Sequence, residues 1–196
     1  MKGTVHYEVK DGVAILTVDN PPVNPLSDGV RAGFVNNIDK AENDPDVLGV
    51  VLTGAGRSFI AGADISEFGK NPDGPGLDEA FKKLEFCSKP VVAAINGSAL
   101  GGGLETALVC NYRIAGPAAF VGLPEVNLGL LPGAGGTQRL PRLVGPAEAL
   151  KMMLTGMHVN AKKALSMGII DEVSDDLIND SIKFIQKVSA ETQNHP

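Results

Sequence analysis

Two glutamates stand out because each is the only charged residue in a long, largely apolar stretch of the chain. Glu105 is alone within residues 90–112, and Glu125 is alone within residues 114–138. Glutamate is rarely buried without a reason, since burial penalises the charged carboxylate and raises its pKa. Two neighbouring carboxyl groups with raised pKa values could donate and accept a proton near pH 7. The pattern therefore favours general acid–base chemistry.

Each glutamate also has a purely structural interpretation. Glu105 would lie in the first turn of a helix, where the helix dipole stabilises a negative charge. Glu125 could form an ion pair with Arg113, the charged residue that separates the two stretches. Charge spacing alone leaves both alternatives open.

Three consecutive glycines, residues 101–103, lead into the helix that carries Glu105. Glycine costs about 1 kcal/mol in a helix interior, so this run needs a local reason. The first N–H groups of a helix have no intrahelical partner. Because glycine has no side chain, a ligand oxygen could approach these donors to about 2.7–3.1 Å, the geometry of an oxyanion hole. The glycines could instead permit close packing of the helix on a sheet.

A second cluster of small residues, Ala61-Gly62-Ala63, precedes another short helix. We interpret the Ala63 N–H as a second oxyanion donor, because one such donor is seldom sufficient. Asp64 is followed three residues later by Glu67, which is the spacing of a capping box. That motif predicts a structural role for the Asp64 side chain.

The elements that must position these residues alternate between uncharged strands and amphipathic helices. A hairpin is predicted around Asp11-Gly12, between TVHYEV and GVAILTVD, and a helix from Ser27-Asp28 to about Asn43. VLGVVLTG and KPVVAAIN are predicted to be buried strands, and residues 111–136 to form two short strands with turns. Further helices are predicted at ISEFG, GLDEAFKKLEFCS, PAEALKMMLTG and, after a strand at IIDEVS, from about Asp176 to Ala190. This order indicates an α/β fold with a mostly parallel sheet covered by helices.

Composition and charge argue against several classes of protein. With 196 residues, 43% of them hydrophobic, the chain can form one substantial core and one domain. The net charge of −6 and the lack of a dense Lys/Arg run argue against nucleic acid or an anionic membrane as a partner. No apolar run of about 18 residues occurs and the segment MKGTVHYEVKDG has no long apolar core, so we expect neither a membrane span nor a secretory signal. Cys87 and Cys110 lack a CxxC spacing, and reduced thiols of this kind predict a cytoplasmic protein.

Motifs for nucleotides, nucleophiles and metals are absent from the sequence. The glycine clusters at residues 54–56 and 133–136 do not complete a GxGxxG pattern, and neither GxxxxGK[ST] nor GxSxG occurs. No His, Cys, Asp or Glu cluster has the spacing of metal ligands. We therefore expect neither a metal nor a redox cofactor.

A series of motifs resembles the enoyl-CoA hydratase/isomerase (crotonase) family. In chain order they are AGADI, AAINGSALGGGLETALVCNYRIA, FVGLPEVNLGLLPGAGGTQRLPRLVG and ALKMMLTG, followed by MGIIDEV. The likeness covers about Asn20 to Val173, and NPPVN adds a similarity to the N-terminal hydratase/isomerase region of multifunctional β-oxidation enzymes. The resemblance implies a crotonase fold of stacked ββα turns, with residues 1–196 forming a single domain.

The resemblance also implies a chemistry. The Ala63 and Gly102 N–H groups would hold a thioester carbonyl, while Glu105 and Glu125 would activate water and deliver a proton to the α-carbon of a trans-2-enoyl-CoA. Proton transfer between C2 and C4 needs mainly a Glu125-type carboxylate, so Δ3-Δ2-enoyl-CoA isomerisation is an alternative at the same site. Thioester hydrolysis and decarboxylation fit two glutamates less well. The residues expected to bind the substrate are Ala61, Gly62, Asp64, Ile65, Gly101, Pro132 and Gly133.

The implied partner is an acyl-CoA thioester, in which coenzyme A is part of the substrate and not a separate cofactor. Candidate cations for its phosphates, most of which could equally be solvated, are Arg57, Lys70, Lys82, Lys83 and Lys89. Family members usually continue beyond the equivalent of Val173 with helices that complete the acyl pocket and form trimers. The chain is therefore expected to lack most of that segment. It would act as a homo-oligomer, as part of a larger chain, or as a non-catalytic acyl-CoA-binding module.

Overall fold

Pairs of strands that are divided between two sheets, each followed by a helix, repeat along the chain. The structure is a computed structural model that describes residues 1–67, 69 and 74–193. Its strands are β1 (Thr4–Lys10), β2 (Val13–Asp19), β3 (Gly49–Gly54), β4 (Ser58–Ala61), β5 (Val91–Ile95), β6 (Ser98–Leu100), β7 (Tyr112–Ala115), β8 (Phe120–Gly122), β9 (Val159–Asn160) and β10 (Glu172–Val173). Its α-helices are α1 (Asp28–Asn43), α2 (Leu77–Glu85), α3 (Gly102–Val109), α4 (Gly136–Val144), α5 (Pro146–Thr155), α6 (Ala161–Ser166) and α7 (Leu177–Gln193). Short 3-10 helices occur at Ile65–Glu67 and Glu125–Leu128.

The two sheets are mostly parallel. The larger sheet has the order β1-β2-β3-β5-β7-β10, in which β1 is antiparallel to β2 and the other neighbours are parallel. The smaller sheet has the order β4-β6-β8-β9, in which β4, β6 and β8 are parallel and β9 is antiparallel to β8. In three successive pairs, the first strand enters the larger sheet and the second enters the smaller one. This arrangement confirms the predicted fold class, an α/β crotonase fold with stacked ββα turns.

The smaller sheet brings three distant segments of the chain together. Ala61 at the end of β4 is paired with Leu100 at the end of β6, and Leu100 is paired with Gly122 at the end of β8. Because the carboxyl ends of parallel strands lie at one edge of a sheet, the residues that follow them emerge side by side. Those residues are the small-residue cluster after β4, the glycine run after β6 and the segment that leads to Glu125 after β8.

Hydrophobic packing fixes both faces of the larger sheet. On one face, Ile182 and Ile185 of α7 belong to a cluster with the strand residues Val51 and Val92. The other face belongs to the main core, which also includes Phe34 of α1 and side chains from α2, α3 and the smaller sheet. Burying an aliphatic side chain of this size contributes about 1.5–3 kcal/mol. The site therefore rests on strands that are packed from both sides.

The long, strongly patterned elements match the sequence-based predictions. β1 and β2 form the predicted hairpin, and α1 buries Val30, Phe34, Ile38 and Ala41 along one face. Ser27 precedes α1, but its hydroxyl makes no capping bond; it donates to the Lys2 carbonyl and accepts from the Asn20 amide.

Short elements differ from the predictions. β6 was not expected, because its three residues carry no periodicity of their own. The predicted strand IIDEVS is ordered as a strand only at Glu172–Val173. The predicted helix ISEFG is a 3-10 turn at Ile65–Glu67, and Phe68 lies outside the described residues.

Gly103, the second residue of α3, explains part of the glycine run. A Cβ atom at this position would lie 1.8 Å from the carbonyl oxygen of Ile60 in β4. Helix α3 therefore approaches the smaller sheet so closely that no side chain fits between them. At Gly103, the close-packing interpretation is confirmed.

We expect the substitution Gly103→Ala to destabilise the fold by at least about 3 kcal/mol, since the contacted atom belongs to the backbone and cannot rotate away. The matched control is Gly76→Ala, because a Cβ at Gly76 would have no atom of the described residues within 4 Å. That control should change the free energy of unfolding by less than about 1 kcal/mol. Urea unfolding of both variants checks the prediction, and equal stabilities would contradict it.

Candidate active site

A cavity of about 290 Å³ opens at the edge where β4, β6 and β8 end. Its lining includes both small-residue segments and both isolated glutamates. The site residues proposed from the sequence that line it are Ala61, Gly62, Ala63, Ile65, Gly101, Gly102, Glu105, Glu125 and Gly133. Asp64 and Pro132 are not part of this lining. The structure thus brings together four separate segments that the sequence had only suggested to be neighbours.

Two backbone N–H groups that face each other at the cavity have no hydrogen-bond partner among the described residues. They belong to Ala63 and to Gly102, the first residue of α3. The segment of Ala63 is held by Leu26, whose N–H donates to the Gly62 carbonyl at 3.0 Å. A Cβ at position 102 would lie 3.4 Å from the Ala63 nitrogen, so the two residues face each other. A single oxygen atom could accept from both donors.

Glu105 is only 3% exposed. Its Oε1 atom accepts hydrogen bonds from the Ala134 N–H and the Gly136 N–H, each at 2.8 Å. Gly136 is the first residue of α4, so the carboxylate also lies at the N-terminus of that helix, where a negative charge is stabilised. A Cβ at Gly136 would lie 2.9 Å from Oε1, so only glycine permits this approach. Both bonds fall on Oε1, which leaves Oε2 for chemistry.

Glu125 lies in the 3-10 helix after β8 and is half-buried. Its Oε2 atom is buried and has no hydrogen-bond partner among the described residues. Burial raises the pKa of the Glu125 carboxyl, and the negative charge of Glu105 adds to this effect. Gly101, with φ of 54°, leaves space for the carboxylate: a Cβ there would lie 3.2 Å from Oε1 of Glu125.

The two carboxylates therefore have different environments around one cavity. Glu105 is fixed through one oxygen by two N–H donors, whereas Glu125 has a raised pKa and an oxygen without a partner. Groups with such different environments can divide the roles of proton donor and proton acceptor. With two N–H donors for an oxyanion beside them, the site can support acid–base chemistry on a carbonyl compound.

Two structural interpretations of the charged residues are wrong. Arg113 does not pair with Glu125; its guanidinium lies 3.5 Å from Asp171 and donates to the carbonyls of Ile169 and Cys110. Asp171 is remote in the sequence, so charge spacing within residues 90–138 gave no sign of this partner.

The capping box predicted from Asp64 and Glu67 does not form, although the Asp64 side chain does have a structural role. Asp64 does accept from the Ser66 N–H, but the Glu67 carboxylate accepts from the Asp28 N–H and pairs with Arg31 at 2.8 Å. A hydrogen bond from Ser66 is the main reason why the pKa of Asp64 is lowered, and Lys2 lowers it further. The side chains of Asp64 and Glu67 thus anchor the segment that carries Ala63 to the N-terminal part of the chain.

Most candidate cations for coenzyme A phosphates already have partners. Lys82 pairs with Asp78 at 2.7 Å, Lys83 pairs with Asp39, and Lys89 donates to the carbonyls of residues 41 and 44. Arg57 is exposed, and Lys70 lies outside the described residues. Arg57 is therefore the described candidate that is most available to an anionic ligand.

Several contributors to the site were not identified from the sequence. The N–H donors of Ala134 and Gly136 are backbone groups, and only the glycine cluster at residues 133–136 hinted at a close approach. The apolar wall of the cavity is formed by side chains from α2, β6 and the 3-10 helix region, namely Leu77, Leu100, Leu128, Leu130 and Leu131. Leucine is common in any hydrophobic core, so the presence of these residues in the sequence did not indicate the wall of a cavity.

The fold and the site together define a class of protein. The chain belongs to the enoyl-CoA hydratase/isomerase family, whose model matches residues 8–196.

Individual relatives agree with this assignment. A zebrafish (Danio rerio) protein named peroxisomal bifunctional enzyme is 52% identical over 170 residues, which are 86% of this chain and 24% of that protein. A Bacillus subtilis protein named probable enoyl-CoA hydratase is 46% identical over 173 residues, 85% of this chain and 67% of the relative. The crystal structure of an enoyl-CoA hydratase from Bacillus anthracis matches with a TM-score of 0.85 and 33% identity, covering 96% of this chain and 77% of that one.

The chain spans about a quarter of the length of the multifunctional relatives that it matches. Some relatives have names that specify peroxisomes or glyoxysomes, as in the Brassica napus glyoxysomal multifunctional protein.

Within the described residues, no helix has the length and apolar character needed to cross a membrane, and no group of three His, Cys, Asp or Glu residues could hold a metal ion. The cytoplasmic location, the oligomeric state and the extent of the domain stay predictions.

The substitution Glu125→Gln should stabilise the protein at neutral pH, because it removes a charge that burial penalises and that Glu105 repels. A carboxyl whose pKa is raised in the folded state disfavours folding once the pH exceeds the ordinary pKa of the group. We expect Tm to rise by about 2–4 °C at pH 7, equivalent to about 1 kcal/mol for a chain of this size. The gain should shrink towards pH 4, where the carboxyl is protonated in both states.

Thermal unfolding at the two pH values measures this effect. The control is Glu8→Gln, which alters an exposed glutamate of β1. A loss of stability in Glu125→Gln at pH 7, or a gain that does not depend on pH, would show that burial of the charge is not the cause.

Proposed function

We propose that the chain is an enoyl-CoA hydratase that adds water across the double bond of a trans-2-enoyl-CoA to give a 3-hydroxyacyl-CoA, a step of fatty-acid β-oxidation. One observation carries the proposal: two facing N–H groups without a partner among the described residues line the same cavity as two carboxylates in different environments. A conjugated thioester needs these groups, because addition of water places charge on its carbonyl oxygen while two protons change position.

In the proposed mechanism, the thioester oxygen accepts from the Ala63 and Gly102 N–H groups. As the hydroxyl of water bonds to C3, negative charge moves through the conjugated system to this oxygen, where the two donors stabilise it. One carboxylate accepts the proton that the water loses, and the other supplies a proton to C2. The raised pKa of Glu125 suits it to carry the proton for C2, and the fixed orientation of Glu105 suits it to hold and activate water.

The reaction proposed is a hydration and involves no change of redox state, so the mechanism invokes neither a metal nor a redox cofactor. Coenzyme A enters as part of the substrate, and the exposed Arg57 is the described cation proposed to meet its phosphates. The apolar leucine wall suits the acyl chain. Names of the relatives, which include enoyl-CoA hydratases and multifunctional β-oxidation proteins, support this choice of substrate class.

A second activity, Δ3-Δ2-enoyl-CoA isomerisation, is favoured by one specific feature. The pKa of the Glu125 carboxyl is raised, and its Oε2 atom has no hydrogen-bond partner among the described residues. This carboxylate could therefore move a proton between C2 and C4 without the help of water. The third alternative is a module that binds acyl-CoA without turnover. In that case the protein should bind acyl-CoA but leave an enoyl thioester unchanged.

The first experiment follows the ultraviolet absorbance of crotonyl-CoA in the presence of the purified protein. We expect rapid loss of absorbance, and Glu105→Gln and Glu125→Gln should each reduce turnover by at least about 10²-fold, because each removes one proton-transfer group. Acyl-CoA binding, measured by calorimetry, should persist in both variants. Near-normal turnover in either variant would refute the role of that residue, and binding without turnover by the unaltered chain would support the non-catalytic alternative.

The same variants separate the two activities. With a 3-enoyl-CoA substrate, Glu125→Gln should suppress isomerisation much more strongly than Glu105→Gln, because in the proposed reaction the Glu125 carboxylate alone removes the proton from C2 and returns it at C4. Appearance of the conjugated product is measured by its absorbance. Equal losses in the two variants would contradict this division of roles.

The oxyanion donors are tested by Gly102→Ala. The added Cβ would lie 3.0 Å from Cδ1 of Leu26, a flexible side-chain end, and 3.4 Å from the Ala63 nitrogen. We therefore expect little effect on Tm but a loss of turnover of about 10²-fold, because the added methyl group would occupy space beside the Ala63 N–H and keep an oxygen atom away from it. Gly76→Ala again serves as the control. Full activity of Gly102→Ala would exclude an oxyanion between these two residues.

A further inference from the structure

An ion pair next to the glycine cluster at residues 133–136 makes no direct contact with Glu105 or Glu125. Arg139 of α4 and Glu85 at the end of α2 form a bidentate pair, in which Nη2 of Arg139 lies 2.7 Å from Oε2 and 2.9 Å from Oε1 of Glu85. Nε of Arg139 donates to the same carboxylate at 3.1 Å. Both side chains are partly shielded, with 26% and 34% of their surfaces exposed. Paired hydrogen bonds of this kind fix orientation more strictly than a simple charge contact does.

The guanidinium also contacts the turn that holds Glu105. Nη1 of Arg139 donates to the Ala134 carbonyl at 3.2 Å, while the N–H of the same Ala134 donates to Oε1 of Glu105 at 2.8 Å. The turn, residues 134–136, therefore lies between the guanidinium on one side and the Glu105 carboxylate on the other. Its position determines where both N–H donors of Glu105 point.

Gly135 provides the space that this arrangement needs. It has φ of 97°, which favours glycine, and a Cβ at this position would lie 2.0 Å from Nη1 of Arg139. Gly136, the next residue, must also lack a side chain because of Glu105. The two glycines thus let the backbone of the turn contact a cation on one face and an anion on the other.

We propose that Arg139 is a positioning residue for Glu105: with Glu85 it holds the 134–136 turn, and the turn holds the carboxylate in its reactive orientation. The inference rests on the proposed function for its consequence in catalysis. Arg139 reaches Glu105 through the Ala134 peptide and acts on the substrate only through that carboxylate. Small displacements of such a group reduce the rate strongly, since a misplacement of about 1 Å can cost 10²-fold.

The first test compares Arg139→Gln with Arg142→Gln. Arg142 lies one turn further along the same helix, and its hydrogen bond goes to the carbonyl of Gln138 in that helix. We expect Arg139→Gln to lower kcat for crotonyl-CoA hydration by about 10- to 10²-fold with little change in KM, because binding groups are untouched and orientation is lost. Arg142→Gln should behave like the unaltered chain. Equal kinetics in the two variants would overturn the proposal.

A double-mutant cycle with Glu105→Gln separates positioning from a general structural role. If Arg139 acts through Glu105, adding Arg139→Gln to Glu105→Gln should reduce the residual rate by less than about 3-fold. If Arg139 merely supported the fold, Arg139→Gln would reduce the rate to a similar extent in the unaltered chain and in Glu105→Gln. The kcat of Arg139→Lys should lie between the values for Arg139→Gln and for the unaltered chain. A single ammonium group cannot contact both Glu85 and the Ala134 carbonyl as the planar guanidinium does.

Hydrogen exchange tests the proposal without any turnover. The amides of Ala134 and Gly136 should exchange about 10-fold faster in Arg139→Gln than in Arg142→Gln, while amides of α5 stay equal. Glu85→Gln should give the same pattern and replaces Arg139→Gln if that variant does not fold. Failure of the proposed function would appear as lack of hydration by the unaltered chain, and the exchange rates would then decide the role of Arg139 alone. Unchanged exchange at Ala134 and Gly136 would refute it.

Discussion

The burial of the Glu105 carboxylate is the constraint on which the rest of the site depends. A carboxyl group that is 3% exposed is stable only when the protein supplies hydrogen bonds in place of water. Here the donors are two backbone N–H groups from the 134–136 turn. Helix α4 must therefore begin directly against α3, and the position of its first residue is set by the carboxylate. The packing of α4 against α3 therefore also sets the orientation of the Glu105 side chain.

The glycine run after β6 meets three different requirements in three consecutive residues. Gly101 has a positive φ and leaves space for Glu125, Gly102 exposes its N–H opposite Ala63, and Gly103 allows α3 to lie against the Ile60 carbonyl. The first two serve the cavity and the third serves the core. The close-packing explanation considered from the sequence therefore holds for Gly103, whereas the oxyanion explanation for Gly102 stays part of the proposed function. A side chain at any one of the three positions would disturb a different part of the molecule.

Whether a feature could be predicted from the sequence depends on how far apart its interacting residues lie along the chain. The isolation of Glu105 and Glu125 and the two small-residue clusters are local signals, and the structure places all of them around one cavity. The pairing of β4, β6 and β8, which unites them, depends on strands of three or four residues with no pattern of their own. Arg113 illustrates the same limit, because its partner Asp171 is distant along the chain and was not distinguishable from other acidic residues.

The backbone donors to Glu105 were missed for a related reason. A peptide N–H has no residue type, so the sequence cannot show which ones point at a carboxylate. Gly135 and Gly136 are the only sign of this contact in the sequence. A Cβ at Gly135 would clash with Nη1 of Arg139, and a Cβ at Gly136 would clash with Oε1 of Glu105. Arg139 and Glu85, in contrast, are ordinary polar residues of amphipathic helices, and only their contact in three dimensions connects them with the site.

The different treatment of the two carboxylates has a physical reason. Two identical environments would give both groups the same tendency to hold a proton, and neither would be prepared to donate while the other accepts. In this chain the environments differ: one oxygen of Glu105 accepts from two N–H groups, whereas Oε2 of Glu125 is buried without a hydrogen-bond partner among the described residues. An unsatisfied buried oxygen costs about 1–3 kcal/mol. Glu125 follows β8 along the chain, and the pairing of β8 with β6 fixes where the segment that carries this oxygen leaves the smaller sheet.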